Sequence, residues 1–288
     1  MSIARYLRYA GTLAIIGAAA LFFSGRSLPS PSEAEPLVLR SAPLQSNVDG
    51  ESFERSYGDI VYAYTPRAEY EISGIVVSLH HSDSFIDITH EYDPANALDL
   101  CLVWGENVAS DAYRKVEYSH GDFTCFYRWW GEDPGFRGDL MSNTHIVPKD
   151  DALLRLAKSV RVGDQITLKG KLVDYRTTFR DGREIGRRNT SMVREDTGNG
   201  ACEILYLEDL RVLKRHQPWR EPLTTVLFFG GILAHLLALV LYVRYFRSKI
   251  PLAPNMHEPD PDPTNPLNPM NYARAGTEPK REGLAEPR

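Results

Sequence analysis

The sequence predicts a mainly β domain carried between two transmembrane α-helices, and three observations predict it. Two concentrated apolar stretches, Tyr9–Phe23 and Leu223–Val243, lie near the ends of the 288-residue chain. Between them, runs of β-branched and aromatic residues alternate with turn signals, as short strands do. One amphipathic helical stripe, at 150–160, interrupts those runs.

The apolar stretches come first. A helix crosses the hydrocarbon with about 20 residues. Leu223–Val243 supplies 21 without a charge, so residues 222–245 read as a spanning helix. Arg244, Arg247 and Lys249 follow at once, and basic residues flanking a span stay cytoplasmic. The first stretch, within an anchor at 1–25, is shorter and follows Arg5 and Arg8, so the same rule gives it the opposite direction. A charged start and short apolar core also describe a cleaved signal peptide, but the apolar run continues past Ala18-Ala19-Ala20 to Phe23. The expectation is an inner-membrane protein with both termini cytoplasmic and the main domain outside. His235 sits mid-span beside Gly230 and Gly231. Small residues admit close helix approach, and a buried imidazole needs a partner, so this face is the expected helix–helix contact.

Residues 26–52, rich in Ser, Pro and Glu, read as a spacer, and the Pro-rich residues 246–288 read as a disordered cytoplasmic tail. The domain itself is expected at 53–220. Its strands are read at Tyr57–Tyr64, Tyr70–His80, Leu98–Trp104, Tyr113–Tyr118, Phe123–Trp129, Gln165–Tyr175 and Ala201–Leu213. LDLCLVW is apolar throughout, as a strand buried on both faces would be. Leu153, Leu154, Leu156, Ala157 and Val160 share a helix face, with Asp150 or Asp151 as cap and Pro148 ahead.

Strands, then a helix, then two more strands is the order of a five-stranded OB-type barrel; a β-sandwich is the alternative. The segment VGDQITLKGKLV at 162–173 resembles the fourth strand of bacterial OB-fold domains, and YEISGIVVS at 70–78 resembles their first. The resemblance implies that Gly74 relieves a tight bend in a coiled first strand. The phrases DLCLVWG, HGDFTCFYRW and GNGACE also give the chain a resemblance to membrane-anchored bacterial proteins. That resemblance implies no activity.

Charge narrows the partners. Residues 24–221 carry 24 Lys and Arg against 32 Asp and Glu, whereas nucleic-acid binders present a basic face. Nucleic acid is therefore an unlikely partner. Inside this acidic domain, Arg176, Arg180, Arg183, Arg187, Arg188 and Arg194 form a basic strip. Guanidinium forks suit carboxylates and phosphates, so an anionic glycan, a lipid headgroup or an envelope protein is the expected ligand.

Catalytic signatures are sparse. His80, His81, His90 and Asp83, in a cluster reaching Asp93, are metal-ligand types whose spacing matches no metal motif. There is no G-x-S-x-G, phosphate loop or C-x-x-C, so no catalytic residue and no cofactor is assigned. Of the three cysteines, Cys101 lies in the most apolar run, which makes Cys125–Cys202 the expected disulfide. In FTCFYRWW, alternation would turn Phe123, Cys125, Tyr127 and Trp129 into the core. The expected function is a membrane-anchored extracytoplasmic binding or scaffold module of the cell envelope. The alternatives are a metal-dependent hydrolase using His80–Asp93 and a subunit of a larger membrane complex.

Overall fold

The computed structural model describes residues 2–24, 27–40, 42–82, 93–121, 123–193, 202–249 and 264. The chain divides into two units, residues 20–224 and residues 1–19 with 225–288.

The first unit is a large mixed sheet. Its strands are β1 (Leu44–Asn47), β2 (Phe53–Tyr57), β3 (Ile60–His81), β4 (Leu98–Val103), β7 (Met141–Pro148), β8 (Gln165–Phe179), β9 (Glu184–Arg188) and β10 (Glu203–Lys214). A separate hairpin, β5 (Glu117–Gly121) and β6 (Thr124–Arg128), follows β4 and the short helix α2 (Glu106–Ala109). Helix α3 (Asp151–Lys158) joins β7 to β8.

Strand β3 organises the sheet. Ile60–Ile75 pairs with β8, and Ile75–His81 pairs with β4. Gly74 stands where the partner changes: a Cβ there would lie 3.0 Å from the Val103 carbonyl oxygen, so the close strand approach leaves little room for a side chain. Beyond β4 the pairing runs antiparallel to β7, parallel from β7 to β10, and antiparallel from β10 to β8. Gly170 faces a bulge between Leu207 and Asp209, and a Cβ there would run into the Tyr206 carbonyl. Apart from Tyr57, which ends β2, the strands read at 57–64 and 70–80 fall in one 22-residue strand that starts at Ile60.

Alternation then sorts the side chains. Leu98, Leu100 and Leu102 join Tyr70, Ile72, Ile166, Leu168, Leu205 and Leu207 in the main core, and α3 packs Ala157 and its leucines against it. The Asp150 carboxylate caps α3 by accepting from Leu153 N at 2.9 Å. The opposite face of β4, with Cys101 and Val103, is buried in a second cluster with Val38, Val108 and Tyr113. The buried GD turn also has a structural task. Asp164 is 1% exposed and accepts from Arg161 N, His216 N and Arg215 Nη1 at 3.0, 2.9 and 2.7 Å.

Three expectations change. Residues 26–52 are not a free spacer: β1 pairs with β3, Val38 is fully buried, and Gln165 clasps Glu35 N and Glu33 O. A strand not among those read from the sequence, β7, ends at Pro148 and is central to the sheet. Of the four residues expected in the core from FTCFYRWW, Tyr127 and Trp129 are exposed, whereas Phe123 and Cys125 are partly buried and Cys125 packs against the second cluster; the segment belongs to a two-stranded hairpin and its end, outside the main sheet. The tail beyond 249 lies outside the described residues except for Thr264.

Helices α1 (Ser2–Phe23) and α4 (Arg220–Arg247) are long and apolar enough to cross a membrane. Within the second unit they touch through small residues. A Cβ on Gly231 would meet the Gly11 carbonyl oxygen at 2.8 Å, whereas one on Gly230 meets nothing within 4 Å. His235 Nδ1 donates to Gly231 O at 2.9 Å, which leaves Nε2 to accept from the Thr12 hydroxyl at 3.3 Å.

Candidate functional site

The polar groups of the sheet converge on the outward face of β4 and β7. Ladder partners share a face, and Asp99 pairs with His145 and Cys101 with Asn143. These side chains therefore point away from the Leu98–Leu100–Leu102 core. His80 of β3 is the other ladder neighbour of Asp99. On the far side, Cys202 immediately precedes β10, and its sulfur accepts from Asn143 Nδ2 at 3.2 Å.

Asp99 and His145 are the buried centre. Both side chains are at most 2% exposed, and His145 Nδ1 lies 2.5 Å from Asp99 Oδ1, which also accepts from Asn96 Nδ2 at 2.8 Å. Burial alone would lower the His145 pKa. Its hydrogen bonds to Asp99 and Cys202, and the Asp99 charge, outweigh burial and opposition from Arg188, pushing it up to about 9. Burial likewise opposes the Asp99 charge, but His145, Asn96 and the nearby His120 hold that carboxyl below its ordinary value.

Arg188 links this centre to a second carboxylate. Its Nη2 is 3.0 Å from His145 Nε2, and its Nη1 is 3.6 Å from Asp93 Oδ2. Asp93 also accepts from the Tyr62 and Tyr175 hydroxyls at 2.8 and 2.6 Å. Burial and the Asp93 charge raise both phenols far above their ordinary pKa, so they act as fixed donors. The Phe123 ring covers the site, 4.6 Å from the Arg188 guanidinium carbon and 5.8 Å from the His145 ring centre. Cys202 is half-buried, and a small pocket lined by Arg188, Asn189, Cys202 and Ile204 opens beside it.

The disulfide is Cys101–Cys125, with Cα atoms 6.1 Å apart, and Cys202 is the free thiol. The expected Cys125–Cys202 pairing fails because β6 packs against β4, not β10. Cys101, buried like a hydrophobe, is the cysteine that β6 covers. His120 Nδ1 lies 3.3 Å from Cys101 Sγ, and the His120 ring stacks on His80 at 6.0 Å. The His120, Cys101 and Cys125 ligand atoms fall within 4.8 Å of one another, but sulfurs bonded to each other are not thiolate ligands.

The other anticipated residues are dispersed. Asp83, His90 and Arg194 lie outside the described residues, and His81 ends β3 opposite Leu98. Arg180 donates to Gly58 O, Arg183 pairs with Asp181, and Arg187 pairs with Glu184. Arg176 and Arg187 are ladder neighbours and line one surface depression with Glu54, Asp174 and Asn189. Of the arginine strip, Arg188 alone among the described members belongs to the buried centre. Sequence reasoning missed Asp99, His145 and Cys202; the cue was four consecutive polar residues, Ser142–His145, in a segment that ends in IVP. Comparison with family models, with curated proteins and with solved structures gave no match.

Proposed function

We propose that this chain is a membrane-anchored binding module of the cell envelope. In this reading α1 and α4 cross the inner membrane, both termini are cytoplasmic, and residues 24–222 lie outside as an OB-type domain that binds an anionic ligand. The observation that carries it is the order of strand pairing: β3 to β4 to β7 to β10 to β8 and back to β3, with β7 and β10 parallel and α3 between β7 and β8. This order, with the first strand serving two neighbours, is what supports an OB-type reading. The basic residues that end and follow α4 and the disulfide support the orientation, since disulfides persist in oxidising compartments.

The depression bearing Arg176 and Arg187 offers the anion contact. The protein in zwitterionic nanodiscs is titrated with a sulfated dextran and, separately, mixed with phosphatidylglycerol vesicles. Binding to either probe that weakens at least fivefold in Arg176→Gln/Arg187→Gln supports the reading and tells glycan from headgroup. No binding to both, or binding indifferent to the substitutions, rejects it. In the membrane-complex reading, Gly231 and His235 meet α1 of the same chain, and Gly230, with open space beside it, is the part of that face left for a partner.

A further inference from the structure

We propose that the β5–β6 hairpin is a lipid-interface anchor, which seats Tyr127, Trp129 and Trp130 in the headgroup zone of the bilayer. The role rests on α1 and α4 crossing that bilayer, and it is separate from the anion contact at Arg176 and Arg187.

The exposed rings are segregated. Among the described residues from 24 to 219, the exposed aromatic side chains are Phe126, Tyr127, Trp129, Trp130 and Trp219. Four of them lie in or just after β6, and Trp219 directly precedes α4. Trp and Tyr join an apolar ring to a polar N–H or O–H, so they gather where hydrocarbon meets water.

Packing sets this hairpin beside both roots of the domain. Leu28 lies five residues beyond Phe23, the end of α1, and Leu213 lies seven before Arg220, the start of α4. Chain length alone keeps them within about 18 Å and about 25 Å of those helix ends. Both pack against the cluster that also takes in Tyr118, Cys125 and Phe136. The roots are joined to each other: Gln217 Nε2 donates to Ser27 Oγ at 2.8 Å, and Lys214 Nζ donates to Glu33 O at 2.9 Å. The Tyr113 hydroxyl donates to Pro29 O, and the Tyr118 hydroxyl of β5 donates to Tyr113 O at 3.0 Å. Tyr118 is in turn the ladder partner of Tyr127. The open end of the hairpin, where Arg128 leads into Trp129 and Trp130, is thereby tied to the roots. The Cys101–Cys125 bond holds β6 to β4, so the rings are presented without the cost of ordering a loose loop.

Charge and ring placement select lipid. Residues 111–139 carry 4 Lys and Arg against 6 Asp and Glu. Arg114, Arg128 and Arg137 are each paired, with Asp111, Glu117 and Asp139. Such a patch does not seek phosphate, so the rings supply the attraction. Phe126 and Tyr127 are adjacent on β6 and point to opposite faces. Tyr127 stacks on Trp129 with ring centres 6.3 Å apart, and Trp130 lies 5.2 Å from the Arg128 guanidinium. A glycan stacks on one face of a strand, whereas a headgroup layer accepts rings from both.

The test places the full chain in phosphatidylcholine vesicles, with or without lipid brominated near the top of its acyl chains, and reads tryptophan emission. Trp219→Phe leaves Trp129 and Trp130 as the exposed indoles, and Trp129→Phe/Trp130→Phe leaves Trp219; Trp104 is buried in the core of both. Each change keeps a ring at an exposed position, so the core is untouched. Brominated lipid should remove at least a third of the emission in both proteins, and high salt should not alter that loss. Loss through Trp219 alone, with Trp129 and Trp130 open to aqueous acrylamide, would overturn the anchor, leave the membrane crossing standing and give the rings to a soluble partner. No loss in either protein would overturn the crossing and the anchor together. A loss at Trp129 and Trp130 that high salt abolishes would overturn attraction through the rings.

Discussion

His145 Nδ1 and Asp99 Oδ1 lie 2.5 Å apart as ladder partners on β7 and β4, on the face of the sheet turned away from its leucine core. Both side chains are almost fully buried, and Asn96 Nδ2 holds the carboxylate at 2.8 Å. The pair is costly to desolvate, and breaking it leaves a buried charge without its counterion.

This pair makes stability depend on pH with a definite sign. His145 is raised from about 6.5 to about 9 on folding. Its contribution is complete below about pH 6.5 and is lost as pH rises through 9. Asp99 is lowered, so its contribution is present above about pH 4 and is lost on further acidification. The urea midpoint should therefore be higher at pH 5.5 than at pH 9, and His145→Gln should flatten that slope. Equal midpoints at the two pH values would mean that His145 does not carry the charge.

The Cys101–Cys125 bond closes a loop of 24 residues in sequence separation. In the chain-entropy model such a link stabilises by about 3.5 kcal/mol. Cys125→Ser should lower stability by roughly that amount, while Cys202→Ser should change it by less than about 1 kcal/mol. Denaturation of the two variants, with thiol counting under denaturing conditions, checks both. Three free thiols in the unreduced wild type, in place of one, would contradict the bond.

What could be read from the residues followed from local rules. The two long apolar helices announce themselves by length and lack of charge. The helix at 150–160 shows a cap and a stripe, and Gly74 and the GD turn sit where close strand approach and a buried carboxylate demand them. Strand β7 was hidden because its Ser142, Asn143, Thr144 and His145 are polar by sequence yet mostly buried, which alternation rules read as solvent. What buries them is non-local. The β5–β6 hairpin and Phe123 cover that face, and Arg188 reaches it from a strand more than forty residues later. The disulfide was misread for the same reason, since an apolar run marks burial but not the strand that lies across it.

Gly170 offers a test of the strand crossing that positions β10, and with it Cys202. A Cβ at this site would collide with the Tyr206 backbone, which has no rotamer by which to yield. Gly170→Ala should cost at least about 2 kcal/mol, in the range of overpacked cores. Gly182→Ala is the wrong control, because Gly182 has a positive φ of 88°. Gly186→Ala is the better one: its nearest neighbour is the Thr177 hydroxyl at 3.9 Å. Thermal melts of the two variants should differ clearly, with Gly186→Ala close to wild type.

The helices give the last contrast, between adjacent glycines. Gly231 faces Ile15 and the Gly11 carbonyl, while nothing lies within 4 Å of a Cβ on Gly230. Close packing of small residues is what lets two such apolar helices approach and hold one another. Gly231→Ala should push α1 and α4 apart and break the Thr12–His235 hydrogen bond; Gly230→Ala should do neither. Oxidative cross-linking of cysteines placed at Thr12 and His235, in a background lacking Cys202, reads the spacing directly. Its yield should fall at least fivefold with Gly231→Ala and stay level with Gly230→Ala. Equal yields in both would mean that α1 and α4 do not meet through Gly231.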